Sequence, residues 1–397
     1  MNIKRLLFAA AVLTGIGYFA TAEEPPLEWT DPDTGYRVVR LSRGFDSARS
    51  FYFHNRPFLA GADGQGDQMV FYAAEHEGEV LQLRVMDLGT FETRRLTSES
   101  ERIGGEILSP VTREAYYQAG RRVMAVHVDS GAERTVCELP EDLPGSVRTV
   151  SADGSRLLGV YADGIRELLR RHPKKSEYFN IIYEARLPNQ QFTIDLATGD
   201  TRVVQESHDW LNHQQFSPTN PDLLTYCHEG PWHKVQRIWL LDLATGQHTP
   251  IHERTVEREI AGHEFWSPDG RAVWFDLQIP RGETFYLTRY DLATGEETRY
   301  QHERHEWSVH YNISPDQKLF CGDGGSAHSV AHSPDGHWIY LFEPDGDRLN
   351  STRLVNLKEH DYELEPNAHF TPDGRWIVFR ANMHGASQVY AVDLQSR

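Results

Sequence analysis

The sequence predicts an all-β chain, a single-domain seven-bladed β-propeller, and three observations carry that expectation. A turn phrase recurs at 216–219, 266–270, 313–316 and 370–374, built from an aromatic or aliphatic residue, Ser or Thr, Pro and usually Asp-Gly. Weaker copies stand at 108–110 and 150–154. A second phrase, Asp-Leu-Ala-Thr-Gly, recurs at 195–199, 242–246 and 291–295. Short alternating runs such as 272–275 and 376–379 follow the first phrase, as strands of a half-buried sheet would. A period of roughly 40 to 60 residues with these features is that of four-stranded blades.

Each element follows in order. Residues 1–22 read as an export signal: Lys4 and Arg5 form the basic end, 6–19 the apolar run, and Ala20-Thr21-Ala22 the small-residue cleavage site. The run is short for a membrane span. The mature chain, 23–397, is therefore expected in the periplasm or outside the cell, without stable membrane insertion. The blades are expected at about 50–98, 104–140, 146–206, 210–253, 261–302, 308–358 and 366–397. The strand at 36–41 is expected to complete the last blade and close the ring, which removes exposed sheet edges. An insertion at about 164–187 reads as a partly helical rim element in the third blade. No linker divides the chain.

Composition narrows the function. Hydrophobic residues make up 39% and aromatic residues 11%, enough for a folded β-rich core. The net charge of −18 argues against general nucleic-acid binding, which needs a basic face. It leaves room for an acidic oligosaccharide, because a local cationic pocket can outweigh the global field. The three cysteines, Cys137, Cys227 and Cys321, allow at most one disulfide, so bridges do not organise the fold. A monomer is expected.

Four of the turn phrases share a register. Counting four residues back from Ser217, Ser267, Ser314 and Thr371 gives His213, His263, His310 and Asn367. Equivalent positions in blades lie at the same height around the axis, so these side chains should converge near the central channel. Alternation along a strand puts Glu365, Asn367 and His369 on one face. With His310 they form a candidate nitrogen and oxygen site for a divalent cation such as Mn²⁺. His263 is the candidate general base, since a neutral imidazole accepts a proton at physiological pH. Arg237 could hold a carboxylate in a bidentate pair. His213, His228, His233 and Arg49 are the candidates for holding substrate. Gly322-Asp323-Gly324-Gly325 lacks the Lys-Ser/Thr of a phosphate loop and reads as a strand-end turn. No Gly-x-Ser-x-Gly elbow is present, which argues against a propeller peptidase.

These residues resemble a family. His228-Glu229-Gly230-Pro231, Arg237 before Ile-Trp, and His263-Glu264-Phe265-Trp266 before Ser-Pro-Asp-Gly look like the oligogalacturonate lyases. Trp210-Leu211-Asn212-His213 and Cys321-Gly322-Asp323-Gly324 extend the likeness. The resemblance implies a seven-bladed propeller that cleaves short uronic-acid oligomers by β-elimination with Mn²⁺. It implies His263 as base, Arg237 near the substrate carboxylate and His310 as a metal ligand. The chain departs from the family where a Gln-x-x-His-Pro-His run is expected: Tyr362, Glu365 and Asn367 stand in place of the glutamine and the two histidines. That departure leaves open a rebuilt metal site, another uronide as substrate, or a non-catalytic propeller of the TolB type that binds glycan or protein.

Overall fold

The computed structural model describes residues 24–61 and 66–397, so the export signal expected at 1–22 lies outside the described residues. The chain forms seven antiparallel blades in sequence order. Four separate sheets are four-stranded or five-stranded blades at 47–95, 103–138, 146–207 and 210–250. A nine-stranded sheet is two blades, 260–302 and 311–356, joined at their outer strands by one parallel pairing of Gln301 with Arg348. The last blade, 369–393, gains its outer strands from the N-terminal segment: Arg37–Arg40 pairs with Gln388–Asp393, and Glu28–Thr30 pairs outside it. The closure expected from the sequence is thus present, with Val38 opposite Val392.

The core is distributed rather than central. A hydrophobic seam fills each boundary between neighbouring blades: Tyr72, Val85, Tyr117 and Val126 between the first two, for example, and Val39, Phe71, Val378 and Ala391 between the last and the first. The two repeated phrases are explained by local hydrogen bonding. In the Ser-Pro-Asp-Gly turn the hydroxyl donates to the Asp carboxylate and accepts the N–H of the returning strand, as Ser267 does toward Asp269 (2.7 Å) and from Ala272 (3.0 Å). In Asp-Leu-Ala-Thr-Gly the Asp carboxylate accepts the next two turn N–H groups, as Asp242 does from Ala244 (2.9 Å) and Thr245 (3.1 Å). The closing Gly246 sits at φ 73°, which glycine adopts without strain.

One feature of the blades positions the site. The innermost strands are interrupted or start late at one level. In the first blade the inner strand is split into Ser47–Arg49 and Phe58–Leu59, both paired with Gln68–Ala74. The next three inner strands carry bulges at Gly104/Ile107, Val147/Thr149 and Asn212/Gln215. The fifth is split into Ile260–Ala261 and Phe265–Trp266. The last two begin at Tyr311 and His369. A bulge or break re-aims side chains that a regular strand would send into the sheet faces.

The insertion in the third blade folds as α1, Ile165–Arg171, and α2, Lys175–Ala185. Tyr178 and Phe179 of α2 pack on Trp210 with ring centroids 6.5 and 5.3 Å apart. A Cβ on Gly230 would meet the Tyr183 ring at 2.7 Å, so α2 docks directly over the loop after the fourth blade's second strand. Among the described residues no helix is long and apolar enough to cross a membrane. Cys137, Cys227 and Cys321 are free thiols.

Ring closure generates a stability prediction. V38A removes about two methyl-equivalents from a fully buried site and should cost about 2 kcal/mol. Deleting residues 24–41 should abolish the cooperative melt altogether, because the last blade then has an open edge. Thermal melting followed by circular dichroism checks both, and a truncated chain with a wild-type melt would contradict the closure argument.

Candidate active site

The interrupted inner strands line a cavity of about 460 Å³ at one end of the channel. Its wall includes Arg49, Tyr52, His54, Arg148, His213 and His263, with Glu229, Glu365 and Trp232 also exposed to it. Three imidazoles, His54, His213 and His263, line it, and a fourth, His310, lies just behind. Ring centroids of His263 and His310 are 4.6 Å apart, those of His213 and His263 6.0 Å, and those of His54 and His213 5.6 Å. Tyr52 lies among them, 5.0 Å from the His54 and His310 rings. Two of the converging residues hold a backbone that L-residues seldom adopt: His213 at φ 53° and Asn367 at φ 52°. Strain of this kind persists where packing and hydrogen bonds over-determine the position.

A buried carboxylate fixes each key imidazole. Asp323 accepts the His310 backbone N–H at 2.9 Å and faces His310 Nδ1 at 2.7 Å. It also accepts the Asn367 N–H at 3.1 Å, so one carboxylate ties the sixth blade to the seventh. Burial pushes Asp323 up, but His310 and the N–H donors outweigh it and hold it below the usual carboxylate range. The remaining His310 nitrogen, Nε2, lies 3.1 Å from the Tyr52 hydroxyl and 3.8 Å from Glu365. His263 Nδ1 lies 3.4 Å from Asp276, in ion-pair range but off hydrogen-bond geometry. A Cβ on residue 262 would meet Asp276 at 2.4 Å, so Gly262 allows that approach. Burial, the first cause, and the positive fields of His310 and Arg237 lower the His263 pKa despite Asp276, which keeps the ring neutral and able to accept a proton. Burial likewise lowers His213 well below the ordinary value and His54 to about 3.

Behind the wall is a second charged cluster. Arg237, 2% exposed, meets Glu229 at 2.5 Å and lies under the Trp232 ring at 4.9 Å. Trp232 Nε1 donates to the same Glu229 oxygen at 2.9 Å. Burial raises Glu229, and Arg237 more than reverses the effect. Glu264, 3.8 Å from Arg237 Nε and 3.7 Å from His213, has neither oxygen hydrogen-bonded among the described residues. Burial first, and then the neighbouring carboxylates Glu229 and Asp276, push it up to about 8 against the pull of Arg237. At neutral pH the cluster is therefore one guanidinium, one carboxylate and one neutral acid.

The structure sorts the residues expected from sequence. His213, His263, Arg49 and Glu365 line the cavity, and His310 abuts it through Tyr52 and Glu365. Arg237 does not reach the wall, because Glu229 and Trp232 stand around its guanidinium. His228 lies outside the cavity, against Trp239 at 5.1 Å and Asp209 at 3.6 Å. His233 lines a neighbouring hollow. Asn367 and His369 do not share the cavity face with Glu365: the positive φ at Asn367 breaks strand alternation. The Asn367 amide oxygen accepts the Phe53 N–H at 2.8 Å, and its nitrogen donates to the Glu365 carbonyl at 2.8 Å. His369 is 2% exposed and packs against Phe58. Tyr362 donates to the Gly324 carbonyl at 2.6 Å, a structural role.

Two groups bear on a metal ion. Among the described residues, His213, Cys227 and Glu229 bring ligand atoms within 4.8 Å of one another. They do not suit Mn²⁺: burial holds the Cys227 thiol protonated, and Arg237 already neutralises Glu229. His310 and Glu365 suit it better. They offer one nitrogen and one carboxylate at the cavity edge, and Asp323 orients the imidazole as an outer carboxylate does in histidine–metal sites.

Sequence reading missed Tyr52, His54, Arg148 and Lys175 on the wall. The first blade carries no Ser-Pro phrase to mark the 50–57 segment, and Lys175 comes from the insertion helix. Asp323 was read only as part of a turn.

Fold and site together define a propeller enzyme with a histidine-centred acid–base cavity. The chain belongs to the oligogalacturonate lyase family, whose model matches residues 27–397. The oligogalacturonide lyase of Pectobacterium atrosepticum is 24% identical over 91% of this chain and 94% of its own length. The oligogalacturonate lyase of Dickeya dadantii matches to the same extent. A solved oligogalacturonate lyase in complex with manganese shares the fold with a TM-score of 0.77 at 24% identity, covering 92% of this chain and 95% of its own.

Glu264 supplies a pH prediction. Its folded pKa, about 8, exceeds the ordinary 4.5, so between those values folding takes up a proton. The contribution to stability is complete below about 4.5 and is lost as pH rises toward 8. E264Q should melt with a weaker dependence on pH over this window than wild type. Identical pH slopes for the two proteins would contradict a protonated Glu264.

Proposed function

We propose that this chain cleaves short uronic-acid oligomers, oligogalacturonate foremost, by β-elimination to give 4,5-unsaturated uronates. The observation that carries the reading is a neutral His263, with Asp276 behind it, at the wall of a cavity that also presents Arg49, Arg148 and Lys175. Arg49 lies 3.5 Å from Glu106 and Lys175 lies 3.8 Å from Glu365, while Glu229 is matched by Arg237 behind it. Arg148 is on the wall too, in the field of Glu106. An otherwise acidic protein thus presents a local site for a uronate carboxylate.

The C5 proton of a uronate lies α to its carboxylate and is weakly acidic. Holding the carboxylate against Arg148, Arg49 and Lys175 stabilises the charge that develops there as the proton leaves. With Nδ1 turned to Asp276, His263 accepts the proton at Nε2. The C5–H electron pair becomes the C4–C5 double bond as the C4–O4 bond breaks; the departing O4 takes a proton from water to become the hydroxyl of the shortened chain, and His263 returns its proton to solvent. Arg237 lies behind, fixing Glu229 and Trp232, and adds its field to the burial that keeps His213 and His263 neutral. His310 and Glu365 would hold a divalent cation, with Mn²⁺ favoured by their nitrogen and carboxylate donors. Such an ion supplies Lewis-acid polarisation of the uronate carboxylate when bound. Asn367, by anchoring Phe53, and His369, beneath the same segment, would support this pair from behind. With the expected leader, the site of action is the periplasm or the exterior.

The test is the ultraviolet absorbance of the unsaturated product, with digalacturonate and trigalacturonate as substrates. Wild type should produce it, and H263A should be slower by about 10²–10⁴-fold. H263A with near-normal turnover would remove His263 as the base. Chelation followed by Mn²⁺ should lower and then restore the rate; a rate indifferent to both would leave the cation without a role.

A further inference from the structure

One imidazole of the cavity wall, His54, neither takes the C5 proton nor faces the carboxylate as a cation. Its ring lies 5.6 Å from that of His213, 5.0 Å from Tyr52 and 5.1 Å from Phe53. The backbone around it is tied to three other blades. The Tyr52 N–H donates to Glu106 of the second blade, and the Phe53 carbonyl accepts from Asn312 of the sixth at 3.2 Å. The Phe53 N–H donates to Asn367, at the entry to the seventh, at 2.8 Å. The Asn55 N–H returns to the Tyr52 carbonyl at 2.8 Å and closes a turn about Phe53 and His54. A side chain carried on so fixed a segment is in place before substrate arrives.

His54 differs from the other converging imidazoles in what stands beside it. His213, His263 and His310 lie 3.7, 3.4 and 2.7 Å from carboxyl oxygens. The leading fields acting on His54 are those of His310, His263 and His369, none of them a carboxylate. Burial first, and then the field of His310, bring its pKa to about 3, so the ring is uncharged near neutral pH. A neutral imidazole carries one N–H. Nδ1 is buried without a hydrogen-bond partner among the described residues. A buried N–H left unpaired is costlier than a buried lone pair, so the proton belongs on Nε2. His54 thus offers the cavity an N–H donor that bears no charge.

The elimination moves charge at three places. Arg49, Arg148 and Lys175 answer the carboxylate, and His263 takes the C5 proton. The third is O4, where negative charge grows as the C4–O4 bond lengthens. We propose that His54 is a further catalytic residue, whose Nε2–H donates a hydrogen bond to the departing O4. The inference rests on the lyase reading above and deepens it. The electron pair of the C4–O4 bond passes to O4, the hydrogen bond stabilises it there, and water then supplies the proton that makes the hydroxyl; the Nε2 proton stays on His54. A donor fixed in advance toward a developing oxyanion is worth more in a closed cavity than in solution. A neutral donor is the suitable one, because an imidazolium this close to His263 would oppose the positive charge that the base acquires.

The experiment is the turnover of trigalacturonate by wild type, H54F and H54Q, followed by product absorbance. H54F keeps a ring but loses the N–H, and its kcat should fall by about 10²-fold with KM nearly unchanged. H54Q brings an amide N–H to a similar reach and should recover much of that loss. If H54F does not melt as wild type does, H54A removes the same N–H without a ring and takes its place. A kcat close to that of wild type without the N–H, a loss carried by KM alone, or an equal loss in H54Q overturns the role of His54 and leaves the lyase reading standing. A wild-type protein that leaves trigalacturonate intact overturns the lyase reading and this inference with it.

Discussion

The site depends on the interruption of the inner strands at a single level. A regular strand alternates its side chains between the two faces of its own blade, and in a propeller both faces are packed against neighbours. No side chain of such a strand is free to point along the channel. The splits at 50–57 and 262–264, the bulges near Gly105, Arg148 and His213, and the late starts after His310 and Asn367 each release residues from that alternation. The backbone cost is visible at His213 and Asn367, which adopt the left-handed region. What is gained is a set of side chains aimed at one point from seven directions, on a scaffold whose seams remain apolar.

Electrostatics then separates roles among chemically similar groups. Three of the converging imidazoles each face different carboxylates: Asp323 for His310, Asp276 for His263, the Glu229 and Glu264 pair for His213. The carboxylates differ in the same way. Glu229 stays ionised beside Arg237, while Glu264, from the next blade but in the same cluster, is buried without a hydrogen-bond donor and keeps its proton. Burial lowers His54, His213 and His263, and neutral rings can crowd this closely without mutual repulsion.

Much of this was legible in the sequence. The Ser/Thr-Pro-Asp phrase marks the turn that ends the inner strands of the last three blades, and its hydroxyl-to-carboxylate hydrogen bond is why it recurs. Counting back from it reached His213, His263 and His310 because the break sits at a fixed distance from the turn. The same counting gave Gly105 in the second blade, where the useful neighbour is Glu106, and found nothing in the first blade, whose inner strand lacks the phrase. Strand alternation misplaced Asn367 and His369, because one residue with positive φ changes which face its successors share. The role of Asp323 depends on a contact between blades, and local pattern does not encode that.

Closure by the N-terminal strand also bears on when the protein becomes a protein. Val38 and Val392 are partners, so the pairing that seals the ring joins nearly the two ends of the described chain. Contacts of such separation in sequence are the slowest to form. Until the final strand is available, the last blade presents open edges that invite pairing with other chains. The seam therefore makes the two ends of the described chain answer for each other: neither the first strand nor the last has its full set of partners until both are in place.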